Sequence, residues 1–166
     1  MQPTFALAVE EHLDDVHAYL VYLTGDRGAA EDLTADTFEK ACRLWKRYDP
    51  RRASAKTWLC QIARTTALDH FRAEARRRRR EQVYAALCER AEPIEATFGE
   101  GLSPTVESAL ASLSAAEREV IALRVLLDFD GEAAARLLGI SATACSTRLS
   151  RALKKLEEGV RGHVAA

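Results

Sequence analysis

No stretch of this sequence is long and apolar enough to cross a bilayer. A membrane-spanning helix needs about 20 consecutive apolar residues, and charged residues, 30% of the 166, interrupt every run first. The N-terminal residues lack the basic head and apolar core of a secretion signal, so a cytoplasmic protein with no membrane insertion is expected. Cysteine is sparse and scattered. Cys42, Cys60, Cys88 and Cys145 form no Cys-x-x-Cys pair, and His12, His17, His70 and His163 fall at no ligand spacing to them. That pattern argues against a zinc site or a disulfide framework, so no metal and no cofactor is expected and the thiols are read as reduced. Nor do acids, histidines and nucleophiles converge as a hydrolase or metal enzyme requires, and enzymatic activity is not expected. Net charge is nearly absent too, at −1.

The charge that is present is unevenly placed. Residues 1–50 carry five Lys and Arg against ten Asp and Glu, residues 51–80 ten against two, and residues 81–103 one against five. A basic block inside a near-neutral chain points to a polyanion bound at one place.

Apolar residues at three-and-four spacing predict an all-helical chain. Leu7, Val9, Leu13, Val16, Leu20 and Leu23 mark a first helix over residues 5–23, ended by Thr24-Gly25-Asp26. A second runs from about Ala29 to Tyr48 and stops at Asp49-Pro50, since proline disfavours helix in the residue before it. Its early Glu31, Asp32 and Asp36 and late Lys40, Arg43, Lys46 and Arg47 suit the helix dipole. That face reads either as a solvated surface or as a dock for a protein partner. A third helix, from about Ala53 to Arg79, turns Leu59, Ile62, Ala63, Leu68 and Phe71 inward. It leaves Lys56, Arg64, Thr65, Asp69, His70 and Arg72 for solvent or a partner. The run Arg76 to Arg80 repels itself and is most easily tolerated beside phosphates, a solvated tail being the alternative. Trp58 reads either as core or as a platform for an unstacked base. Residues 81–103 read as an acidic linker with a weak helical stretch at Val83 to Cys88.

Beyond it, Val106, Leu110 and Leu113 mark a short helix, and the capping box Ser114 to Glu117 opens another that carries apolar residues through Leu127. Asp130 caps the run Glu132 to Leu138, Gly139 supplies a turn conformation that side chains resist, and Ile140 pins the turn. Ser141 then caps a last helix with Leu149, Leu153 and Leu156 inward and Ser146, Thr147, Arg148, Ser150 and Arg151 outward. This is a helix-turn-helix, whose second helix enters the DNA major groove; a plain helical hairpin is the alternative.

Read in order, these segments resemble a known family. Asp32-Leu33-Thr34-Ala35-Asp36-Thr37-Phe38 looks like region 2.2 of the extracytoplasmic-function (ECF) sigma factors, the two-domain group of the sigma-70 family. Tyr48-Asp49-Pro50-Arg51-Arg52, Thr57-Trp58-Leu59-Cys60-Gln61-Ile62-Ala63-Arg64 and Leu68-Asp69-His70-Phe71-Arg72 look like regions 2.3 and 2.4. Leu113 to Val120, Leu138 to Ser141 and Arg148 to Ala152 resemble region 4, with Asp128 where a glycine is usual and Thr65 where Asn is common.

The resemblance implies sigma domain 2 over residues 1–80, the acidic linker over 81–103 and sigma domain 4 over 104–166. It implies that Asp32, Leu33, Asp36, Phe38 and Arg43 hold core RNA polymerase at the clamp helices of its largest subunit, with domain 4 near the flap region. Lys56, Trp58, Arg64, Thr65, Asp69, Arg72, Arg76 and Arg77 would capture and melt the −10 element. Ser141, Thr143, Ser146, Thr147, Arg148, Ser150 and Arg151 would read the −35 element. Promoter DNA is then the second partner and an anti-sigma factor a candidate third. The end Val164-Ala165-Ala166 resembles tails read by bacterial ATP-dependent proteases, so such a protease reading Ala165-Ala166 is a further candidate, an idle end being the alternative. A stand-alone helix-turn-helix regulator, dimeric on a palindrome, is the competing function.

Overall fold

The computed structural model of the chain describes residues 4–85 and 97–164, and among these every regular element is a helix. The α-helices are α1 Phe5–Thr24, α2 Arg27–Leu44, α3 Ala55–Ala85, α4 Pro104–Ala111, α5 Ala115–Ile121, α6 Gly131–Leu138 and α7 Ala142–Val164. A 3-10 turn, Trp45–Arg47, finishes α2, and a π-helical turn, Ala122–Leu126, continues α5. Helices α1 to α3 pack on one another, and α7 packs on α4, α5 and α6.

In the first bundle, Thr4 caps α1 by accepting from the Leu7 N–H, and Asp26 caps α2 by accepting from that of Ala29. Val16, Tyr19, Leu20 and Leu23 are buried with Ala30, Leu33 and Ala41 of α2 and Leu59, Cys60, Ala63 and Ala67 of α3. The small side chains at 60, 63 and 67 let the other two helices approach α3 closely. Two threonines inside this cluster stay satisfied, Thr34 and Thr37 donating to the carbonyls of Ala30 and Leu33 at 2.7 and 2.6 Å. Phe5, Trp45, Tyr48 and Trp58 close one end, with ring centroids 4.8 to 5.6 Å apart.

Helix α3 does not stop at Arg79 but continues to Ala85, so residues 81–85 of the stretch read as a linker are helical. Arginine is a good helix former, and Arg77 pairs with both Glu74 (3.4 Å) and Glu81 (3.5 Å), which offsets the repulsion. Residues 86–96, including Cys88, and Ala165-Ala166 lie outside the described residues.

In the second bundle, Ser114 and Glu117 satisfy each other's backbone N–H as a capping box. On α7 the positions facing the core are Cys145, Leu149, Ala152 and Leu156, at intervals of four, three and four. Leu153, expected inward, is 40% exposed, because it sits about 100° around the helix from Ala152. A Cβ on Gly159 would stand 3.0 Å from that of Ala109, so glycine here lets α7 cross α4 closely.

The apolar run predicts one helix through Leu127, and the structure breaks it. The Leu127 N–H reaches the Ala122 carbonyl at 2.9 Å, one residue farther than an α-helical bond, and Asp128 follows at φ 55°. Asp tolerates this left-handed region better than most side chains, which explains how it can stand where glycine is usual. The widened turn leaves Val125 and Leu126 exposed at 59% and 43% while Leu123, Leu127 and Phe129 stay buried.

The two bundles touch, α1 packing on α5 and the π turn and α3 on α6. Phe98, in the stretch read as a linker, is buried between the Tyr22 ring (6.0 Å) and the Arg118 guanidinium (5.3 Å). The described end of that stretch therefore packs as well as joins. Arg118 donates to the carbonyls of Tyr22 (2.8 Å) and Leu23 (3.3 Å), acceptors that the end of α1 leaves open, and to that of Leu113. Gly139, between α6 and α7, has φ 68° with nothing near its missing Cβ. Gly139→Ala should therefore lower stability by about 1–2 kcal/mol through backbone strain alone; urea denaturation showing no shift in midpoint would contradict this.

Candidate nucleic-acid interface

The helix-turn-helix is built as its residues dictate. Asp130 accepts from the Ala133 N–H at 2.8 Å, Gly139 turns the chain, and the Ile140 N–H donates back to the Ala135 carbonyl at 3.0 Å. Ile140 packs against the core, and Ser141 accepts from the Ala144 N–H at 3.1 Å to start α7. With Cys145 and Ala152 buried, the opposite face of α7 is uncovered among the described residues. Thr143, Thr147 and Ser150 occupy its centre at helical intervals of four and three, flanked by Ser146 and Arg151, all exposed.

Arg148 is half-buried and turns toward α5. Between α7 and the start of α5 lies an open crevice of about 590 Å³, lined by Ser141, Thr143, Thr147, Arg148 and Arg151 and by Ser114, Ala116 and Glu117. Among the described residues neither Arg148 nor Arg151 is held in an ion pair, so both forked cations are available to a phosphate or a base edge. The contribution of α5 to this face was missed by the sequence reading, although its capping box was visible. Glu117 also pairs with Lys155, which ties α5 to α7. The Lys155 hydrogen bond, then that of the Ser114 backbone, holds the Glu117 carboxyl below its ordinary value.

On α3 the expected −10 residues fall into two groups. Trp58, Thr65, Asp69, Arg72 and Arg76 lie at intervals of seven, four, three and four, one stripe along the side away from the core. Thr65 is exposed and donates to its own helix at the Gln61 carbonyl (2.9 Å), Asp69 pairs with Arg72 (3.1 Å), and Arg76 and Arg77 are exposed. Trp58 is half-buried, with one side in the aromatic cluster and the other in a crevice of about 250 Å³ that it shares with Thr57, Gln61 and, from α6, Arg136 and Leu137.

Lys56 and Arg64 lie off the stripe. The Arg64 Nε–H donates to the buried carboxylate of Glu119 at 2.8 Å, and the Tyr19 hydroxyl donates to the same oxygen at 2.7 Å. Burial, and next the Glu119 charge, push the Tyr19 phenol well above its ordinary value and keep it a neutral donor. Lys56 pairs with Asp15 at 2.9 Å and donates to the Leu127 carbonyl at 2.9 Å.

On α2, Asp32, Asp36 and Arg43 are exposed, with Arg43 paired to Glu39 on the same face. Leu33 is 4% exposed and Phe38 is packed against the core, so both support that face from beneath rather than standing on it. The physical reason is the helical period, which aligns position 33 with the buried Ala30, Thr37 and Ala41. Cys60 and Cys145 are buried and Cys42 is exposed; burial pushes the Cys60 thiol up to about 12. Among the described residues no His, Cys, Asp and Glu gather as a metal site would need, and no helix is long and apolar enough to cross a membrane.

An exposed helix-turn-helix beside a bundle with a long basic helix defines a two-module, all-helical protein of the DNA-binding class. The sequence profile of Sigma-70 region 2 matches residues 8–77 and that of Sigma-70, region 4 matches residues 105–156. The ECF RNA polymerase sigma factor SigC of Mycobacterium tuberculosis is 33% identical over 144 residues, 83% of this chain and 73% of that protein. BldN of Streptomyces coelicolor, another ECF sigma factor, is 28% identical over 155 residues; these are 92% of this chain but 58% of BldN. Among solved structures, the sigma factor RpoE of Bartonella quintana, in complex with the anti-sigma factor NepR, has a TM-score of 0.74 and 29% identity, covering 95% of this chain and 96% of that one. The chain belongs to the ECF sigma factors of the sigma-70 family.

The lowered Glu117 carboxyl has a consequence for stability. Its contribution is full above the ordinary carboxylate value of about 4.3 and is lost as pH falls through the lowered value. Between pH 6 and pH 3 the thermal midpoint should fall further in the native chain than in Glu117→Gln, which keeps an acceptor for the cap but cannot titrate; parallel falls would show that the Lys155 contact does not stabilise the fold.

Proposed function

We propose that this chain directs core RNA polymerase to its promoters, reading the −35 duplex with α7 and capturing and melting the −10 element with the outward stripe of α3. One observation carries the reading. Two separate surfaces, each suited to DNA in a different state, sit on one chain. The α7 face offers hydroxyls and arginines to base edges and phosphates of a duplex. The α3 stripe offers Trp58 for stacking and Arg72, Arg76 and Arg77 for a strand backbone, as single-strand capture requires. Melting costs a few kcal/mol per unstacked base, which stacking and phosphate neutralisation offset. No covalent chemistry is asked of this chain, since the polymerase performs it.

The exposed stripe of Asp32, Asp36 and Arg43 docks on the clamp helices of the largest polymerase subunit, and domain 4 lies near the flap region. Its likeness to RpoE of Bartonella quintana, which covers both bundles and was solved with NepR bound, supports an anti-sigma factor as a further partner. The site of action is the cytoplasm.

Run-off transcription with purified core polymerase on a fragmented genomic library tests the reading directly: the chain should direct initiation at discrete start sites. A chain that ignores core polymerase and binds palindromic duplex as a dimer would establish the stand-alone regulator instead. Arg151→Ala should cost promoter binding about 1–3 kcal/mol if Arg151 reads a base, with relaxed preference at one −35 position; equal weakening at every sequence would reassign it to phosphate. Charge reversal at both Asp32 and Asp36 should weaken association with core polymerase and leave the circular dichroism spectrum unchanged. Unchanged association would move the dock elsewhere.

A further inference from the structure

The crevice beside Trp58, of about 250 Å³, has two unlike walls and a charged rim. One wall is the open side of the Trp58 ring, whose other side rests in the aromatic cluster against Trp45 (5.6 Å) and Tyr48 (5.3 Å). The other is aliphatic, made by Leu137 and Ala133 of α6 with Ala53. A slot between an indole and aliphatic side chains suits a flat ring, and stacking on an aromatic side chain accepts any nucleobase. The Gln61 side chain, also in the lining, brings a carbonyl acceptor and an amide donor, the pair of groups that a base edge meets. Among the described residues neither that amide nor the Trp58 indole N–H has a hydrogen-bond partner.

The rim is cationic. Arg52 and Arg136 are both exposed, one from each bundle. Arg136 reaches Glu132 only at 4.0 Å, between two exposed side chains, a contact that holds a guanidinium weakly. The Arg52 guanidinium has no partner among the described residues. Guanidinium forks bind phosphate oxygens bidentately. Volume decides how such a ligand sits. Clefts that bury a whole small molecule run to about 300–1,000 Å³, so this one holds the base and leaves the phosphates outside, at the arginines.

We propose that this crevice binds a free purine nucleotide carrying two or more phosphates, its base stacked on Trp58 and met at its edge by Gln61, its phosphates held by Arg52 and Arg136. A purine is favoured because the larger ring system buries more apolar area against the indole, and two forked cations match two phosphates. The ring face it occupies is the one offered to an unstacked base, so nucleotide and captured strand exclude each other. That consequence rests on the function proposed above, whereas the site itself does not.

Equilibrium dialysis of the full chain against adenosine diphosphate tests the site, with adenosine and inorganic pyrophosphate as the two halves of the ligand. Binding should saturate at one per chain, and each half alone should bind about tenfold more weakly or worse. Arg136→Ala, at an exposed helical position, should weaken the diphosphate by about tenfold with an unchanged circular dichroism spectrum. The chain has two tryptophans, and the indole N–H resonance that Trp58→Phe removes should shift as the diphosphate is added to the native chain. A random-sequence single-stranded 20-mer should displace the diphosphate.

Absence of saturable binding overturns the site, as does pyrophosphate that binds as tightly as the diphosphate, which would mark an anion held by arginines alone. Equal affinity in Arg136→Ala, or a Trp58 resonance that stays in place, overturns it too. A diphosphate that the 20-mer fails to displace overturns the shared use of Trp58. Failure of the chain to direct initiation in run-off transcription would count against the proposed function alone, since none of these measurements involves polymerase.

Discussion

A carboxylate cannot be taken out of water without partners, and Glu119, buried where the two bundles meet, finds them on two helices of the other bundle: the Tyr19 hydroxyl on α1 and the Arg64 guanidinium on α3. Losing either partner would leave charge or hydrogen-bonding capacity uncompensated in a desolvated place. The seam therefore tolerates only one registration of the bundles. An apolar seam could slide, while one built on Glu119, Arg118 and Lys56 fixes which turn of α5 meets which turn of α1 and α3.

Helix α3 shows how one element can serve several demands. At about 1.5 Å per residue its 31 residues span roughly 46 Å, far more than the first bundle needs. One side, with Leu59, Cys60, Ala63 and Ala67, builds the core; a second carries Trp58, Thr65, Asp69, Arg72 and Arg76; an edge with Lys56 and Arg64 faces the second bundle. The outward stripe can be polar because the core draws only on the residues of the opposite side. Its basic end stays helical because Arg77 is paired along the helix and the rest of the run lies in water.

Much of this was legible in the chain itself. The helix-turn-helix could be read from Asp130, Gly139 and Ser141 because capping and left-handed turns are local, depending on side chains within three or four positions of one another. The same holds for the capping box at Ser114 and Glu117 and for the end of α1 at Gly25. Errors arose where local preference competed with something farther away. The run from Val120 to Leu127 looks like an unbroken helix, yet it widens into a π turn that keeps Leu123, Leu127 and Phe129 buried. Leu153 has the composition of a core residue, but the small Ala152 takes the inward place, since α7 must lie close to its neighbours there.

The sequence by itself determined the helical elements, the basic character of α3, the outward polar face of α7 and the family, because periodicity, caps and charge blocks are properties of short segments. Tertiary structure alone decided that Phe98 packs at the seam, that α5 lines the crevice beside α7, and that Arg64 and Lys56 reach across to the second bundle. Arg64 and Lys56 find their partners 55 and 71 positions away, and no local preference of either residue encodes which distant carboxylate or carbonyl will complete its hydrogen bonds.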